Sequence, residues 1–194
     1  ITLLNGDYKI MTGAITKRLN KVVSSILSQE NTGFAPKRYI MENIHTLRGV
    51  QAYLDENPKE GGLMVALDLY HAFDMASWEY MRMAMPALGF GEDMSEWVSL
   101  IYNQKPEHHP NRRMKIDGEV HGTHFKQSSG VPQGDPLSPL MFLILAEGFT
   151  RLLNNPDHGP EGITIRGRTY RTTMYADDTT ILLRNQQGMT KLNA

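Results

Sequence analysis

No cysteine occurs among the 194 residues, which excludes a disulfide framework and any thiolate metal site and leaves a reducing compartment open. Long apolar runs are also missing. The longest, around Leu140 to Ala146, is far short of the roughly 20 residues a bilayer requires, so no membrane partner is expected. Net charge is close to nil, with 20 Lys and Arg against 21 Asp and Glu, which argues against a uniformly basic nucleic-acid binder. There is no internal repeat and no low-complexity tract. The chain is long enough for one ample domain, or two small ones sharing an interface. Beginning at Ile1 and stopping at Ala194 soon after an expected strand, it is expected to be a piece of a longer polypeptide.

Charge is unevenly spread. Residues 1 to 50 carry seven Lys and Arg against three acids, 51 to 100 two against nine, and 101 to 194 eleven against nine. An acidic middle between more basic flanks suits a carboxylate site framed by phosphate-binding surfaces, and ordinary solvated faces would give the same pattern.

Apolar spacing predicts an amphipathic helix from Met11 to Ile26, and a second one carrying Ile40, Ile44, Leu47 and Leu54. "LMVALDL" reads as a short buried strand. "SWEYMRMAMPAL" reads as a helix with Ser77 as N-cap and Gly89 as stop. A shorter helix follows with Met94, Trp97 and Ile101, then a hairpin turning at Asp117-Gly118. "SSGVPQGDPLSP" is a loop, and "LMFLILAEGFTRLL" is a helix buried on most sides, started by Ser138 and Pro139. "ITIRGRTYRTTMYA" and "TTILLR" are strands, with a hairpin closing at Asp177-Asp178. The methionines at helical spacing are expected to fill the core.

Two adjacent aspartates in "MYADDTTILL" pose the chemical question, because paired carboxylates repel unless a cation neutralises them. Asp68 ends the "MVALD" strand, and Asp177 and Asp178 follow 109 residues later. If the two strands are neighbours, three carboxylates converge at one sheet edge. Such a set can hold two Mg²⁺ roughly 3.5–4 Å apart for in-line displacement at phosphorus. A polar turn is the alternative.

"LDLYHAFD", "SSGVPQGDPLSPLMF" and "YADD", in this order and at these separations, resemble the palm motifs of reverse transcriptases, and "NTGFAPKRYIMENI" is similar to the fingers motif preceding them. "ITLLNGDYKI" resembles the start of the fingers region in LINE-type non-LTR retrotransposon enzymes. The resemblance covers nearly the whole chain. It implies an α+β polymerase palm with part of a helical fingers subdomain, divided as residues 1–61 and 62–194 and lacking the primer grip and thumb. It also implies RNA-directed DNA synthesis from dNTPs on a primed RNA template, with two Mg²⁺ ions or Mn²⁺ in their place. The partners would be an RNA template, a DNA primer and the rest of a larger polyprotein, including a thumb, with the presence of an endonuclease left open. The location would be intracellular, in a nuclear or cytoplasmic ribonucleoprotein.

Residue by residue, the resemblance implies that Asp68 and Asp177 are metal ligands, Asp178 a supporting carboxylate, and the Leu69 carbonyl a further ligand. Phe73 matches the aromatic gate that excludes a ribose 2′-hydroxyl, although packing at a strand-to-helix turn would also account for it. The backbone N–H groups of His71 and Ala72 would face the triphosphate. Gln133 and Gly134 match the loop beneath the sugar and template base, and Asp135 either belongs to that loop or caps the next helix. The Arg-Pro pair that usually precedes the "ITLL"-like segment lies before this chain's first residue. Lys9 and Arg38 are therefore the fingers cations expected at triphosphate or template, with a solvated helix face as the alternative.

Three rivals remain. An intron-encoded or other bacterial-type enzyme shares the motifs, and a non-catalytic RNA-binding palm would be expected to lose carboxylates that are present here. A viral RNA polymerase is disfavoured by Phe73. Four histidines, His108, His109, His121 and His124, sit close together but match no familiar zinc order.

Overall fold

The computed structural model describes residues 3–102 and 111–188. Its first helix is two pieces, α1 (Gly6–Leu19) and the single turn α2 (Val23–Ile26), rather than the continuous run expected to Ile26. The break lets Val23 and Leu27 turn into the core. The carbonyls that the interrupted helix leaves open at Ser24 and Leu27 accept from the Arg38 guanidinium at 3.0 and 2.9 Å.

The helix α3 (Ile40–Glu56) starts with Glu42 accepting the Tyr39 N–H at 3.0 Å, half of a capping box. After β1 (Leu63–Leu67), α4 (Trp78–Ala87) is capped by Ser77, whose hydroxyl accepts the Tyr80 N–H, and stops before Gly89 at φ 86°. Next come α5 (Glu92–Tyr102) and the hairpin of β2 (Asn111–Ile116) and β3 (Glu119–Lys126). That hairpin turns at Asp117-Gly118, φ 50° and 88°, as the sequence predicts. The helix α6 (Ser138–Asn154) has Leu137 as N-cap, so Ser138 and Pro139 fall inside its first turn. Asp135 takes over the capping, its carboxylate accepting the Leu137 N–H at 3.4 Å.

"ITIRGRTYRTTMYA" is not one extended run. It divides into β4 (Ile163–Ile165), β5 (Arg168–Tyr170) and β6 (Thr172–Tyr175). The first two form their own hairpin around Arg166-Gly167, both at positive φ. The last strand, β7 (Asp178–Leu183), is central in an antiparallel sheet of order β1-β7-β6. Being central, it buries Ile181, Leu182 and Leu183 completely. By contrast β1, expected to be buried, is an edge strand paired only to β7, and it leaves Leu63 and Met64 exposed.

Five consecutive residues of α6, Leu140 to Ile144, are buried, so this helix is the spine of the core. Around it pack Trp78, Met81 and Met85 from α4, Val98 and Ile101 from α5, and Ile15 and Leu19 from α1. The helices on both sides of residue 61 therefore share a single apolar cluster.

Candidate active site

A two-residue turn joins β6 to β7. Tyr175 pairs with Asp178, which leaves Ala176 and Asp177 as the central residues. The turn thus lies one residue earlier than the Asp177-Asp178 expected from sequence, and in a pleated strand one residue exchanges the faces. The shift has a packing reason: Ala176, only 3% exposed, is held against Phe142, Ala146 and Met174 beneath the turn. It holds φ 57° there, in a position that usually prefers glycine. Consequently Asp177 sits at the tip, and Asp178 is the exposed first residue of β7.

β1 runs antiparallel to β7 and its last pair is Leu67 with Thr179, so Asp68 emerges at the same sheet edge as the turn. Asp68 and Asp177 line one cleft of about 330 Å³. The continuous stretch from Leu69 to Asp74 lines the rest of it, and Gln133 joins from the facing loop. That loop is fixed on the 73–76 turn by main-chain bonds from Val131 N–H to the Phe73 carbonyl and from Gly130 N–H to the Ala76 carbonyl, each 2.8 Å. Trp78 Nε1 donates to the Gly130 carbonyl at 2.7 Å from below.

Seven of the eleven residues expected at the site therefore line one cleft; Asp178, Gly134, Lys9 and Arg38 do not. Gly134 holds φ 86° with open space where a Cβ would be, so the backbone conformation, rather than a close neighbour, calls for glycine. Lys9 is exposed on α1. Both Nη groups of Arg38 are engaged elsewhere: Nη1 donates to the Ser28 carbonyl and, at 2.8 Å, to that of Asn31, while Nη2 takes the two carbonyls named above. It clasps the 24–31 loop.

The same loop is tied to α6 by Glu147, a carboxylate with no exposed surface. It accepts the Ser28 N–H at 2.9 Å, the Ser28 hydroxyl at 2.7 Å and Arg151 Nε at 2.7 Å. Beyond the loop's end, Met174 of β6 donates its N–H to the Glu30 carbonyl at 2.8 Å, and its own carbonyl accepts the Thr32 N–H at 2.9 Å. Asn43 of α3 donates to that carbonyl as well, at 2.8 Å. Gly33 then crosses the turn so closely that a Cβ would collide with the Ala176 nitrogen and lie 2.9 Å from the Tyr175 carbonyl carbon.

Asp135, 3% exposed, joins α1 to the Gln133 loop. Burial raises its pKa above the ordinary carboxylate value, against hydrogen bonds from Thr12, the Leu137 N–H, Ser138 and Tyr8 that favour the ion. Burial first, and the Asp135 charge second, push the phenols of Tyr8 and Tyr102 up in turn.

The donors at the cleft are mostly oxygen: the Asp68, Asp74 and Asp177 carboxylates and main-chain carbonyls, with one imidazole, that of His71, whose Nδ1 lies 3.5 Å from the Asp74 carboxylate. That suits a hard divalent cation completed by water and substrate phosphates. Among the described residues no group of three or more His, Asp or Glu side chains is placed so that it could hold a metal ion. His108 and His109 fall outside the described residues.

Residues 1–193 match the protein family described as reverse transcriptase (RNA-dependent DNA polymerase). The chain belongs to the reverse transcriptase family. A Xenopus laevis relative, "Transposon TX1 uncharacterized 149 kDa protein", is 26% identical over 183 residues, which is 92% of this chain and 13% of that protein. This reverse transcriptase chain thus spans about an eighth of that relative. Among solved structures, apo telomerase from Candida tropicalis truncated from its C-terminal domain superposes with a TM-score of 0.56 at 15% identity, covering 96% of this chain and 36% of that one. A second apo telomerase structure from the same organism gives 0.52 at 13% identity, covering 96% and 32%. These likenesses bear out the α+β palm-like fold. Family membership brings with it the general use of divalent metals. No described helix is long and apolar enough to cross a membrane.

Sequence reasoning missed Glu147, Gly33 and Phe34. The glycine and the phenylalanine lay inside a quoted motif, "NTGFAP", and only their contact with the remote residues Tyr175 and Ala176 gives them a role. Glu147 had one available signal, an acid within an otherwise apolar helix.

Proposed function

We propose that this chain is the catalytic part of an RNA-directed DNA polymerase of the LINE-type non-LTR class, joining a dNTP to a primer 3′-hydroxyl on an RNA template. One observation carries the reading: Asp68 and Asp177, from strands 109 residues apart, line one polar cleft together with Phe73 and Gln133. Asp68, Asp177 and the Leu69 carbonyl would hold Mg²⁺, or Mn²⁺ in its place, with Asp178 supporting from the start of β7. Bound cations supply acidification of the attacking hydroxyl and neutralisation of the charge that builds on phosphorus and pyrophosphate. The protein's own residues position. His71 and Ala72 offer main-chain N–H groups toward the triphosphate, Gln133 lies under the sugar and template base, and Phe73 closes the space a 2′-hydroxyl would need. Residues 1–61 would serve as fingers and 62–194 as palm, with the remaining palm strands, thumb and any endonuclease supplied by the longer polypeptide. The class assignment rests on the transposon relative.

Primer extension on an RNA template by the intact protein tests the reading. Asp177→Asn should lower the rate by about 10³-fold, the scale of losing one preorganised charged group. Equal extension by both forms would remove the site assignment.

A further inference from the structure

The fingers loop that crosses the catalytic turn ends in an exposed aromatic side chain. Phe34 is 48% exposed and sits at φ 51°, a combination that bulky residues rarely adopt. Its position is imposed from both ends of a short zipper. Glu30 and Thr32 are hydrogen-bonded to the main chain of Met174, and Gly33 lies flat on the Ala176 nitrogen with no room for a side chain. The next side chain along is thereby set over the cleft's aromatic wall.

There it meets Phe73 edge-on, with ring centroids 6.3 Å apart and an interplanar angle of 88°. Phe73 also stacks on the buried ring of Phe142 at 4.8 Å and 11°. Phe34 also leans on Tyr175, at 6.5 Å and 36°. The ring of Phe73 is therefore held between the rings of Phe142 and Phe34. Phe142 belongs to the core of α6 and cannot move without repacking it, whereas Phe34 rides on a loop. Edge-to-face contact of this kind is directional, because the ring quadrupole favours it over other approaches.

We propose that Phe34 is a positioning residue for sugar selection: by bracing Phe73 through its perpendicular ring contact it fixes that ring against the place of the nucleotide 2′-carbon. The proposal rests on the reading of Phe73 as the sugar gate. A gate that can swing aside discriminates poorly, so the stiffness of the brace sets the selectivity. The same geometry ties selection to the turn that carries Asp177, since the loop that carries the brace is hydrogen-bonded to Met174 of β6, the strand leading into that turn.

The test is the ratio of kcat/KM for a deoxynucleotide to that for the matching ribonucleotide, measured by primer extension with the intact protein. Phe34→Ala should lower the ratio by about tenfold, the scale of one aromatic pair. Phe34→Tyr, which keeps the ring, should restore the original ratio. Phe73→Val serves as reference and should lower the ratio by itself, and Phe34→Ala added to it should change nothing more. A merely structural role for Phe34 would depress both nucleotides equally and leave the ratio unchanged, which overturns the proposal while the gate stands. If Phe73→Val leaves the ratio unchanged, the gate reading fails and the proposal falls with it. A further drop in the double variant would mean that Phe34 acts independently of Phe73, which also overturns it. Phe34→Leu carries the same comparison if Phe34→Ala does not fold.

Discussion

Replacing Gly33 with alanine probes the junction on which the site depends. A Cβ at this position meets the backbone at Ala176 and Tyr175, not a flexible side-chain end, so either the loop or the β6–β7 turn has to retreat. Retreat of the loop breaks the two main-chain bonds to Met174, Thr32 N–H to its carbonyl at 2.9 Å and its N–H to Glu30 at 2.8 Å. At ~1 kcal/mol each, with a further contribution from overpacking, the expected loss is about 2–3 kcal/mol. For a chain of this size that lowers Tm by roughly 5–10 °C. Gly49→Ala is the matched control, since Gly49 lies in α3 with open space where its Cβ would be. It should stabilise by about 1 kcal/mol through helix propensity. Thermal unfolding with amide exchange reads both effects, and the Thr32 and Met174 amides should lose protection in Gly33→Ala. An unchanged Tm with both amides still protected would refute the reasoning.

The remaining predictions concern the two buried acids. Glu147→Ala leaves the Ser28 N–H and hydroxyl without their acceptor and should cost about 3 kcal/mol in chemical denaturation; a loss under ~0.5 kcal/mol, the range of surface changes, would contradict the assigned role. Asp135 has a folded pKa above its ordinary 3.8, so the folded state binds this proton more tightly than the unfolded one. Its contribution is fully present below the ordinary carboxylate value and is lost as pH rises through the folded value. Relative to Asp135→Asn, the wild type should thus lose stability as pH rises from about 4. A difference that stays flat, or runs the other way, would show that the hydrogen bonds to the carboxylate outweigh its burial.

Much of the architecture was legible because its signals are local. Ser77 and Gly89 bound α4, Asp117-Gly118 turns a hairpin, and the unbroken apolar run of α6 marks the spine of the core. What was not legible depends on partners remote in sequence. The split of the first helix depends on Arg38 collecting its carbonyls. The exposure of β1 depends on its place at the edge of the sheet. The β6–β7 turn is shifted by one residue because Ala176, rather than either aspartate, fits the apolar pocket under it. At the site, ordered motifs placed Asp68, Asp177, Phe73 and Gln133 in advance, since each sits at the end of a recognisable element. Arg38 was read by its charge alone, but its hydrogen-bond geometry commits it to the loop.

The shared cleft of Asp68 and Asp177 is best tested by titrating the chain with Mn²⁺ while following paramagnetic broadening of its amide resonances. One ion site between the two strands should broaden residues 68–73 and 176–178 together, at the same metal concentration, and either Asp68→Asn or Asp177→Asn should relieve both groups at once. Broadening of one group without the other, or relief confined to the substituted strand, would mean that the two carboxylates do not grip a common ion.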